Sequence, residues 1–523
     1  MKEDLRRVGI VGAGAMGRGI AQVCAMAGCG VKLFDAAEGA VSRAIDAVRE
    51  DFARATAKGV MSESDAEAAL ARMVGIDSLD QMKGSDLVVE AIVERLDAKQ
   101  QLFRDLETIV DDKCVLATNT SSLSVTSIAA ACAHPNRVAG WHFFNPVTRM
   151  KVVEVIRGPR TDRQAIEALI SLSRRIGHRG IVTSDSPGFV VNHAGRAFVT
   201  EGLKLLAEQA ASHEVLDAIL RTCAGFRMGP LELLDLTGLD VSVPVMESIH
   251  SQYYGDDRYR PVPLARTRLV AGLLGRKSGE GFYRYDGKSA GRTTLQPVTA
   301  SAVQPRLWWP THGPAALPEH IAALLIAHAP VVDGGDADVI LLAPLDRDLS
   351  TTVVELGVDA SKAIGVDPVF GGPSGITLMT CPGTAAETVG LAQGVFAEHS
   401  VPTFVIVDSP GFVAPRVVAC VVNLACEMAQ QGIASPVDID IAVRLGLGYP
   451  VGPFEWGDRL GATRVLSILE GLYATFGDQR YRPSPWLTRR ARLGLPLGSP
   501  DRREPIAGTM PADFSAAEKA ATA

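Results

Sequence analysis

The first third of the chain alternates short apolar runs with amphipathic stretches, a pattern typical of strand–helix–strand units. It predicts a buried strand at Val8–Val11, a turn at Gly12–Gly17, a helix at Arg18–Ala27 and a second strand at Val31–Phe34. Further strands are predicted at Leu87–Ala91, Val115–Thr118, Val138–Phe143 and Val152–Ile156. Strands that alternate with helices in this way indicate one parallel sheet.

Helical patterns dominate after about Asp185, and residues 287–318 are rich in Pro, Ala, Thr and Gly, which predicts a linker. Strand-like runs then return at Ala322–Ile326, Val339–Leu342, Ile376–Thr380 and Thr403–Val407. The Pro- and Ala-rich end, residues 497–523, is predicted to be disordered.

An internal repeat is the main organisational feature. Asp185–Val190 recurs as Asp408–Val413, and Gly229–Glu232 recurs as Gly452–Glu455 with one substitution. A third motif, 255–261, recurs as 477–483. Because the three matches keep their order and nearly constant spacing, the helical domain is predicted to be present twice.

The predicted fold is therefore an α/β N-terminal Rossmann domain and an all-α domain, followed by a reduced Rossmann-like unit and a second all-α copy. The predicted segments are 1–184 (Rossmann), 185–286 (helical), 287–318 (linker), 319–407 (reduced Rossmann-like), 408–496 (second helical copy) and 497–523 (tail). In the second half Pro415 stands where the first has Asn192, and no GxGxxG precedes the helical copy. The predicted strand 322–326 leads to His328-Ala329-Pro330, which cannot form a phosphate turn, so we expect this half to lack cofactor binding.

Composition narrows the function classes. The chain has 523 residues and a formal net charge of −7, which gives no bulk attraction to nucleic acid or to an anionic membrane, and no basic stripe with interleaved aromatics is present. The eight cysteines form no CxxC pair, which favours reduced thiols, a cytoplasmic protein and no metal site. The apolar run Val8–Val31 is interrupted by Arg18 and Gln22, and no stretch reaches the roughly 18 apolar residues of a membrane span.

The glycine turn predicts a dinucleotide site. In Gly12-Ala13-Gly14-Ala15-Met16-Gly17 the first glycine permits the tight turn, the second admits a pyrophosphate and the third allows close helix–strand packing. A glycine turn without a ligand is the alternative for this motif alone. Asp35, at the end of the next strand, favours a ribose hydroxyl and disfavours the 2′-phosphate of NADP, so NAD is the predicted cofactor.

A polar pair lies further along the predicted sheet. His142 stands among aromatic residues, and Glu154 stands in an apolar strand where an unpaired charge is costly. A bond between them would satisfy both and make His142 a base able to accept a hydroxyl proton. The segment Asn119–Leu123 also follows a strand, and either a helix cap or a ligand site fits it.

Together these motifs resemble the 3-hydroxyacyl-CoA dehydrogenase family, over residues 5–286. The segments that carry the resemblance are Gly12–Gly17, Val89–Glu94, Asn119–Leu123, His142–Pro146, Glu154, Asp185–Val190 with Asn192, and Lys277–Tyr283. The resemblance implies NAD-dependent oxidation of an acyl-CoA thioester, with His142 as the base and Glu154 as its partner. It implies that Ser121 and Asn192 contact the substrate oxygen, that Glu94, Lys99, Asn145 and Lys277 contact the cofactor, and that Lys58 meets the CoA phosphates; a solvated helix end is the alternative for Lys58.

The two-part layout resembles the long bacterial members of this family, including those that oxidise 3-hydroxyadipyl-CoA in phenylacetate breakdown. A 3-hydroxybutyryl chain is the alternative substrate, since no residue is recognisable from the sequence as a receptor for a distal carboxylate. A non-catalytic NAD-binding protein of the crystallin type is the alternative of another class, and hydroxy-acid dehydrogenases with a lysine base are a further one. The second helical copy is expected either to pair internally with the first, as a pseudo-dimer, or to extend a homodimer.

Overall fold

The computed structural model describes residues 4–286, 289–290, 304–325, 328 and 334–501. The first unit consists of strands β1 Arg7–Val11, β2 Gly30–Phe34, β3 Met73–Gly75, β4 Leu87–Glu90, β5 Val115–Thr118, β6 Val138–Phe143, β7 Val152–Arg157 and β8 Arg179–Ser184. Its helices are α1 Ala15–Met26, α2 Ala40–Ala57, α3 Glu63–Ala71, α4 Leu96–Ile109, α5 Val125–Ala129 and α6 Arg163–Arg175. The sequence pattern had not indicated β3 or β8.

The eight strands form one sheet in the order β3-β2-β1-β4-β5-β6-β7-β8. All neighbouring pairs are parallel except β6 and β7, which are antiparallel. The central strands are apolar and buried because helices cover both faces of the sheet. The antiparallel pair places His142 directly opposite Glu154.

The first helical unit consists of α7 Val191–Ala207, α8 His213–Thr222, α9 Pro230–Thr237, α10 Leu239–Gln252 and α11 Pro263–Val270, and it ends in the short hairpin β9 Tyr285–Asp286 and β10 Ser289–Ala290. Helix α7 is buried along most of its length. It is the central helix of a core that both halves of the chain share.

The second sheet has the order β11-β12-β13-β14-β15, with only β13 and β14 antiparallel. Its elements are β11 Leu307–Trp308, α12 Glu319–Leu324, β12 Val339–Leu342, α13 Leu349–Leu356, β13 Ala363–Val366, β14 Ile376–Met379, α14 Ala386–Glu398 and β15 Thr403–Ile406. The pattern of one antiparallel pair followed by a parallel edge strand matches β6, β7 and β8 of the first sheet.

Two predictions about this region were wrong. Residues 322–324 belong to helix α12 and not to a strand, because a short apolar run alone does not distinguish the two. The predicted linker 287–318 also ends too late: Leu307 and Leu317 are buried in the core of the second sheet, and β11 pairs with β12. Residues 291–303 of that segment lie outside the described residues.

The second helical unit consists of α15 Ala414–Gln430, α16 Pro436–Leu447, α17 Pro453–Leu460, α18 Ala462–Phe476 and α19 Pro485–Leu493. The predicted disordered tail begins too early, because Leu497 is fully buried and its carbonyl accepts a hydrogen bond from Trp486 Nε1 at 2.9 Å. Residues 502–523 lie outside the described residues.

The two helical copies pack against each other, with α7 beside α15, and the contacts repeat with pseudo-twofold symmetry. The N–H of Ser184 donates to the carbonyl of Ile433, and the N–H of Val407 donates to that of Ala210, both at 2.9 Å. The two bonds are related by the offset of 223 residues that separates the Asp185 and Asp408 motifs. Each sheet therefore borders the helical unit of the opposite half.

No helix among the described residues combines the length and apolarity that crossing a bilayer requires.

Candidate active site

The glycine turn has the geometry that its sequence predicts. A Cβ on Gly12, whose φ is +107°, would lie 2.4 Å from the Ala91 carbonyl oxygen, and a Cβ on Gly17 would lie 1.8 Å from the Gly12 oxygen. A Cβ on Gly14 would meet nothing within 4 Å. Gly12 and Gly17 therefore serve the turn and its packing, while the exposed Gly14 and Ala15 leave open space at the N-terminus of α1. Met16 follows in the first turn of the helix.

Asp35 ties this turn to the end of β2. Its carboxylate accepts the N–H of Ala13 at 2.7 Å and that of Ala37 at 2.8 Å, and it stays partly exposed beside the glycines. This places an acidic group next to the open N-terminus of α1, where a bound dinucleotide would present its adenosine ribose.

His142 and Glu154 form the buried pair that the sequence predicts. His142 Nδ1 lies 2.6 Å from Glu154 Oε2, and the two side chains are 5% and 0% exposed. The other carboxylate oxygen, Oε1, accepts the N–H groups of Val190 and Val191 at 2.8 Å each, where helix α7 begins. Since Nδ1 faces a carboxylate, it carries the proton of a neutral imidazole, and Nε2 is left as the acceptor.

Two phenylalanines fix the face of the imidazole. The centroid of the Phe144 ring lies 4.5 Å from that of the His142 ring, and the centroid of the Phe189 ring lies 5.8 Å from it; both phenyl rings are inclined to the imidazole plane. Phe189 has a φ of +49°, and it is part of the repeated Asp185–Val190 motif that leads into α7. That motif therefore supplies one N–H donor to Glu154, that of Val190, and one wall of the histidine pocket.

The loop after β5 is held by Glu94. Glu94 Oε1 accepts the Thr120 hydroxyl at 2.7 Å and the N–H and hydroxyl of Ser121 at 2.8 and 3.2 Å. Burial alone would raise the pKa of Glu94, but Lys99 and these hydrogen bonds lower it to about 2. Glu94 is thus an anion at neutral pH that positions the exposed Ser121, the residue for which sequence left both a cap and a ligand role open.

Lys99 lies deeper than its predicted role at the cofactor requires. It is 1% exposed, and its Nζ contacts Glu90 Oε1 at 2.6 Å and Glu94 Oε2 at 3.1 Å. Both glutamates compensate its charge, so the described contacts place it behind the Ser121 loop. Sequence reasoning missed Glu90, a fully buried acid that also accepts the Thr118 hydroxyl at 2.7 Å. A glutamate inside the apolar run Leu87–Ala91 is the signal that could have identified it.

The remaining predicted site residues have fewer contacts with the Ser121 loop and the His142–Glu154 pair. Asn192, in the first turn of α7, donates from Nδ2 to the Ser121 carbonyl at 3.5 Å, which links the helix to the loop. Asn145 is exposed after β6. Lys277 forms an ion pair with Asp240 of α10, and the described contacts do not bring it to the Ser121 loop or to the glycine turn.

Lys58 lies at the exposed end of α2 and lines a cavity of about 830 Å³. Arg54 and Arg149 line the same cavity. Arg72 lines it too, so four cations stand against two acids, Asp51 and Asp65. This excess of positive charge suits a polyanionic ligand, which a solvated helix end alone does not explain.

These features fit a dinucleotide: an uncapped helix N-terminus with exposed backbone, open space at Gly14 and an acid at the end of β2. Within residues 4–286 and the other described parts of the chain, no group of three or more His, Cys, Asp or Glu side chains is placed to hold a metal ion.

Comparison with known proteins agrees with this geometry. Residues 7–186 match the model of the 3-hydroxyacyl-CoA dehydrogenase NAD-binding domain. The model of the 3-hydroxyacyl-CoA dehydrogenase C-terminal domain matches twice, at residues 188–285 and 411–499, which confirms the predicted duplication.

Relatives cover either the whole chain or its first half. The chain is 34% identical to the 3-hydroxyadipyl-CoA dehydrogenase of Escherichia coli strain K12, over 94% of this chain and 99% of that protein. It is 38% identical to the 3-hydroxybutyryl-CoA dehydrogenase of Bradyrhizobium diazoefficiens, over 55% of this chain and 98% of that protein. Among solved structures, 3-hydroxybutyryl-CoA dehydrogenase from Escherichia coli K12 superposes with a TM-score of 0.83 at 32% identity and covers 94% of this chain and 99% of its own.

The cofactor turn, the histidine–glutamate pair and both sets of matches lead to one conclusion: the chain belongs to the 3-hydroxyacyl-CoA dehydrogenase family, whose members oxidise 3-hydroxyacyl thioesters with NAD, and it contains the family's C-terminal domain twice.

Proposed function

We propose that the protein oxidises the 3-hydroxyl of (S)-3-hydroxyadipyl-CoA, with His142 as the general base and one active site per chain. The observation that carries the chemistry is the 2.6 Å contact between His142 Nδ1 and Glu154 Oε2, backed by two N–H donors from the start of α7. The observation that favours this substrate is the 34% identity to a 3-hydroxyadipyl-CoA dehydrogenase along nearly the whole of both chains.

The proton step follows from the tautomer. Glu154 accepts the hydrogen bond of the N–H at Nδ1, so Nε2 is free to accept the proton of the substrate hydroxyl. The imidazolium that forms is stabilised by the adjacent carboxylate. Bound NAD supplies the hydride acceptor for C3. Since His142 and Glu154 are both buried, the charge pair forms away from bulk water, where it is strongest.

The surrounding residues act by position. We assign Ser121 and Asn192 to the substrate oxygen, because Asn192 donates to the Ser121 carbonyl and directly follows Val191, whose N–H binds Glu154. Gly14, Ala15 and Met16 are assigned to the cofactor pyrophosphate, and Gly12 and Gly17 to the turn that presents them. Asp35 is assigned to the cofactor ribose and Asn145 to its nicotinamide side. The contact of Lys277 with the cofactor stays a prediction, because Lys277 pairs with Asp240. Glu94 and Lys99 are assigned to the geometry of the Ser121 loop, and Lys58 with its cationic neighbours to the CoA phosphates.

3-Hydroxybutyryl-CoA is the second candidate substrate. The relative from Bradyrhizobium and the superposed Escherichia structure both have that substrate in their names. Either substrate uses the same His142 chemistry, so the choice between them depends on the part of the site that meets the far end of the acyl chain.

Replacement of His142 by Gln tests the proposed base. Glutamine keeps a polar side chain but cannot take up a proton, so we expect kcat to fall by about 10⁴-fold, at the upper end for general-base catalysis. NAD affinity, measured by titration calorimetry, should change by less than about twofold, because the histidine lies outside the glycine turn. Near-normal turnover of NADH with acetoacetyl-CoA in His142→Gln would contradict the assignment.

A further inference from the structure

Arg196 stands out as a cation without a counter-ion. Its Nη1 is buried and makes no hydrogen bond, and none of the described residues forms an ion pair with it. Burial lowers the pKa of Arg196 to about 10, so the guanidinium is still charged at neutral pH. The Arg196 side chain as a whole is half-buried, but a guanidinium whose inner nitrogen lacks a hydrogen-bond partner gains from a nearby anion.

A second unpartnered polar group comes from the other half of the chain. Tyr449, in the loop between α16 and α17, is 5% exposed, and its hydroxyl is buried without a hydrogen bond. Its ring lies 5.5 Å, centroid to centroid, from that of Phe198 on α7, and the nearby Leu447 lies against Gly195, the neighbour of Arg196 in the chain. The two residues therefore present a guanidinium and a phenol together, the pair of donors that a carboxylate accepts.

The pair lies one helical turn from the substrate-binding residue. Arg196 follows Asn192 on α7, and its Nε donates to the Asn192 carbonyl at 2.8 Å. Four residues advance a helix by about 6 Å. In an adipyl chain the terminal carboxyl carbon lies three bonds beyond C3, about 4 Å when extended at about 1.5 Å per bond. A chain whose C3 hydroxyl is held near Asn192 can thus reach Arg196 with its far end.

The pseudo-twofold symmetry allows Arg196 and Tyr449 to be compared with the residues at the corresponding positions of the other copy. The counterpart of Arg196 in the second copy is Ala419, and the counterpart of Tyr449 in the first copy is Phe226. Phe226 and Tyr449 pack edge to face with ring centroids 5.0 Å apart near the pseudo-axis. Helix α16, which precedes Tyr449, packs against α7 and against β7, the strand of Glu154. Both polar groups therefore lie in the pairing on the His142 side, and both are replaced at the symmetry-related positions.

We propose that Arg196 and Tyr449 bind the distal carboxylate of the acyl chain, so that the site selects dicarboxylic 3-hydroxyacyl-CoA thioesters over monocarboxylic ones of equal length. The inference rests on the proposed function, since it places the acyl chain by the C3 hydroxyl. It also assigns the second half of the chain a direct part in substrate selection, through one hydroxyl.

The test compares two thioesters that differ only at the far end. For the full chain, kcat/KM is measured with (S)-3-hydroxyadipyl-CoA and (S)-3-hydroxyhexanoyl-CoA, and their ratio is the readout. We expect the wild-type ratio to favour the adipyl substrate and Arg196→Met to lower that ratio by about 10- to 100-fold, the range for loss of a charged hydrogen bond. Arg196→Lys should retain part of the preference, and Tyr449→Phe should lower it by about 3- to 10-fold.

Arg444→Met is the matched control. Arg444 is an exposed cation on α16, so its loss changes the net charge equally but should leave the ratio unchanged. A wild-type ratio near one, or equal losses on both substrates in Arg196→Met, would overturn the carboxylate site while leaving the dehydrogenase intact. If Arg196→Met does not fold, an unchanged ratio in both Tyr449→Phe and Arg196→Lys would overturn it instead. Failure of the wild type to oxidise either thioester would overturn the proposed function itself.

Discussion

The two sheet units of this chain have the same strand arrangement around the proposed catalytic pair, but they carry different side chains there. In the first unit the antiparallel pair β6–β7 sets His142 opposite Glu154. The ladder of β13 and β14, continued by one residue, sets Asp367 opposite Thr377, and the Asp367 N–H donates to the Thr377 carbonyl at 3.1 Å. The backbone is retained, while His142, the proposed base, and its partner Glu154 are both replaced.

The structural devices around that pair are retained. Asp185 accepts the N–H groups of Val125 and Thr126 at the start of α5, and Asp408 accepts those of Leu349 and Ser350 at the start of α13. By this alignment Ser121 corresponds to Leu345, whose side chain has no polar group. Capping and packing residues are kept in both halves because both must fold against each other, whereas the hydroxyl and imidazole groups of the proposed site are present in the first half alone.

The first test of this comparison has the largest expected effect. Glu154→Gln keeps an oxygen for the two N–H groups of α7 but removes the charge beside His142, so we expect kcat to fall by about 10³-fold. Thr377→Val alters the corresponding position of the second unit and should change kcat by less than about twofold. Steady-state rates with acetoacetyl-CoA and NADH check both.

Comparing the kcat of Glu154→Gln with that of Thr377→Val decides whether the second unit takes part in catalysis. If Thr377→Val lowered kcat as strongly as Glu154→Gln, with an unchanged unfolding midpoint, the second unit would carry catalytic chemistry of its own. If Glu154→Gln retained wild-type kcat, the carboxylate would serve only to satisfy the N–H groups at the start of α7.

Where the first copy has a neutral histidine, the second has a buried ion network. His193 contacts Tyr259 at 3.1 Å, and burial lowers its pKa to about 3. Its counterpart Arg416 is fully buried and donates to Glu201 at 2.6 Å and to Tyr481 at 2.7 Å. This charge crosses the interface between α7 and α15, so the second copy uses the position to join the halves.

Replacement of Arg416 by Met tests that joining. It leaves the buried Glu201 without its main partner, and we expect the free energy of unfolding to fall by about 3–5 kcal/mol in denaturant titration. The double variant Arg416→Met with Glu201→Met should recover most of the loss, because no uncompensated charge remains. A loss below about 1 kcal/mol in the single variant would show that the network contributes little to the association of the halves.

Sequence predicted the parts of the molecule that depend on local pattern. The glycine turn and the His142–Glu154 pair could be anticipated because turn chemistry and a charge in an apolar strand are visible in a few residues. The Arg196–Tyr449 pair could not, since its two members are far apart in the chain and are brought together only by the packing of α16 against α7. The strand β11 could not be predicted either, because a strand of two residues is too short to show a hydrophobic period.

Replacement of Asp367, which stands where the first unit has His142, has the smallest expected effect, a change in the pH dependence of stability. Burial raises the pKa of Asp367 to about 6, although the N–H groups of Val369 and Phe370 oppose the shift, and its Oδ2 is buried without a hydrogen bond. Its folded-state pKa thus lies above the unfolded value of about 3.9. The folded chain binds the proton more tightly, so this group's stabilising contribution is complete below about pH 4 and is lost as the pH rises to about 6.

Asp367→Asn removes that titration and keeps an oxygen for the two N–H groups. The gain in unfolding free energy over wild type should therefore grow from near zero at pH 4 to about 1–3 kcal/mol at pH 8, by linkage between pKa and stability. Denaturant titrations at several pH values measure it, and the exposed Asp112→Asn should show no such trend. A gain that did not change with pH would mean that the variant gained an amide contact and that burial of the Asp367 charge does not destabilise the second unit. The position that corresponds to His142, the proposed base, would then carry no such burial cost.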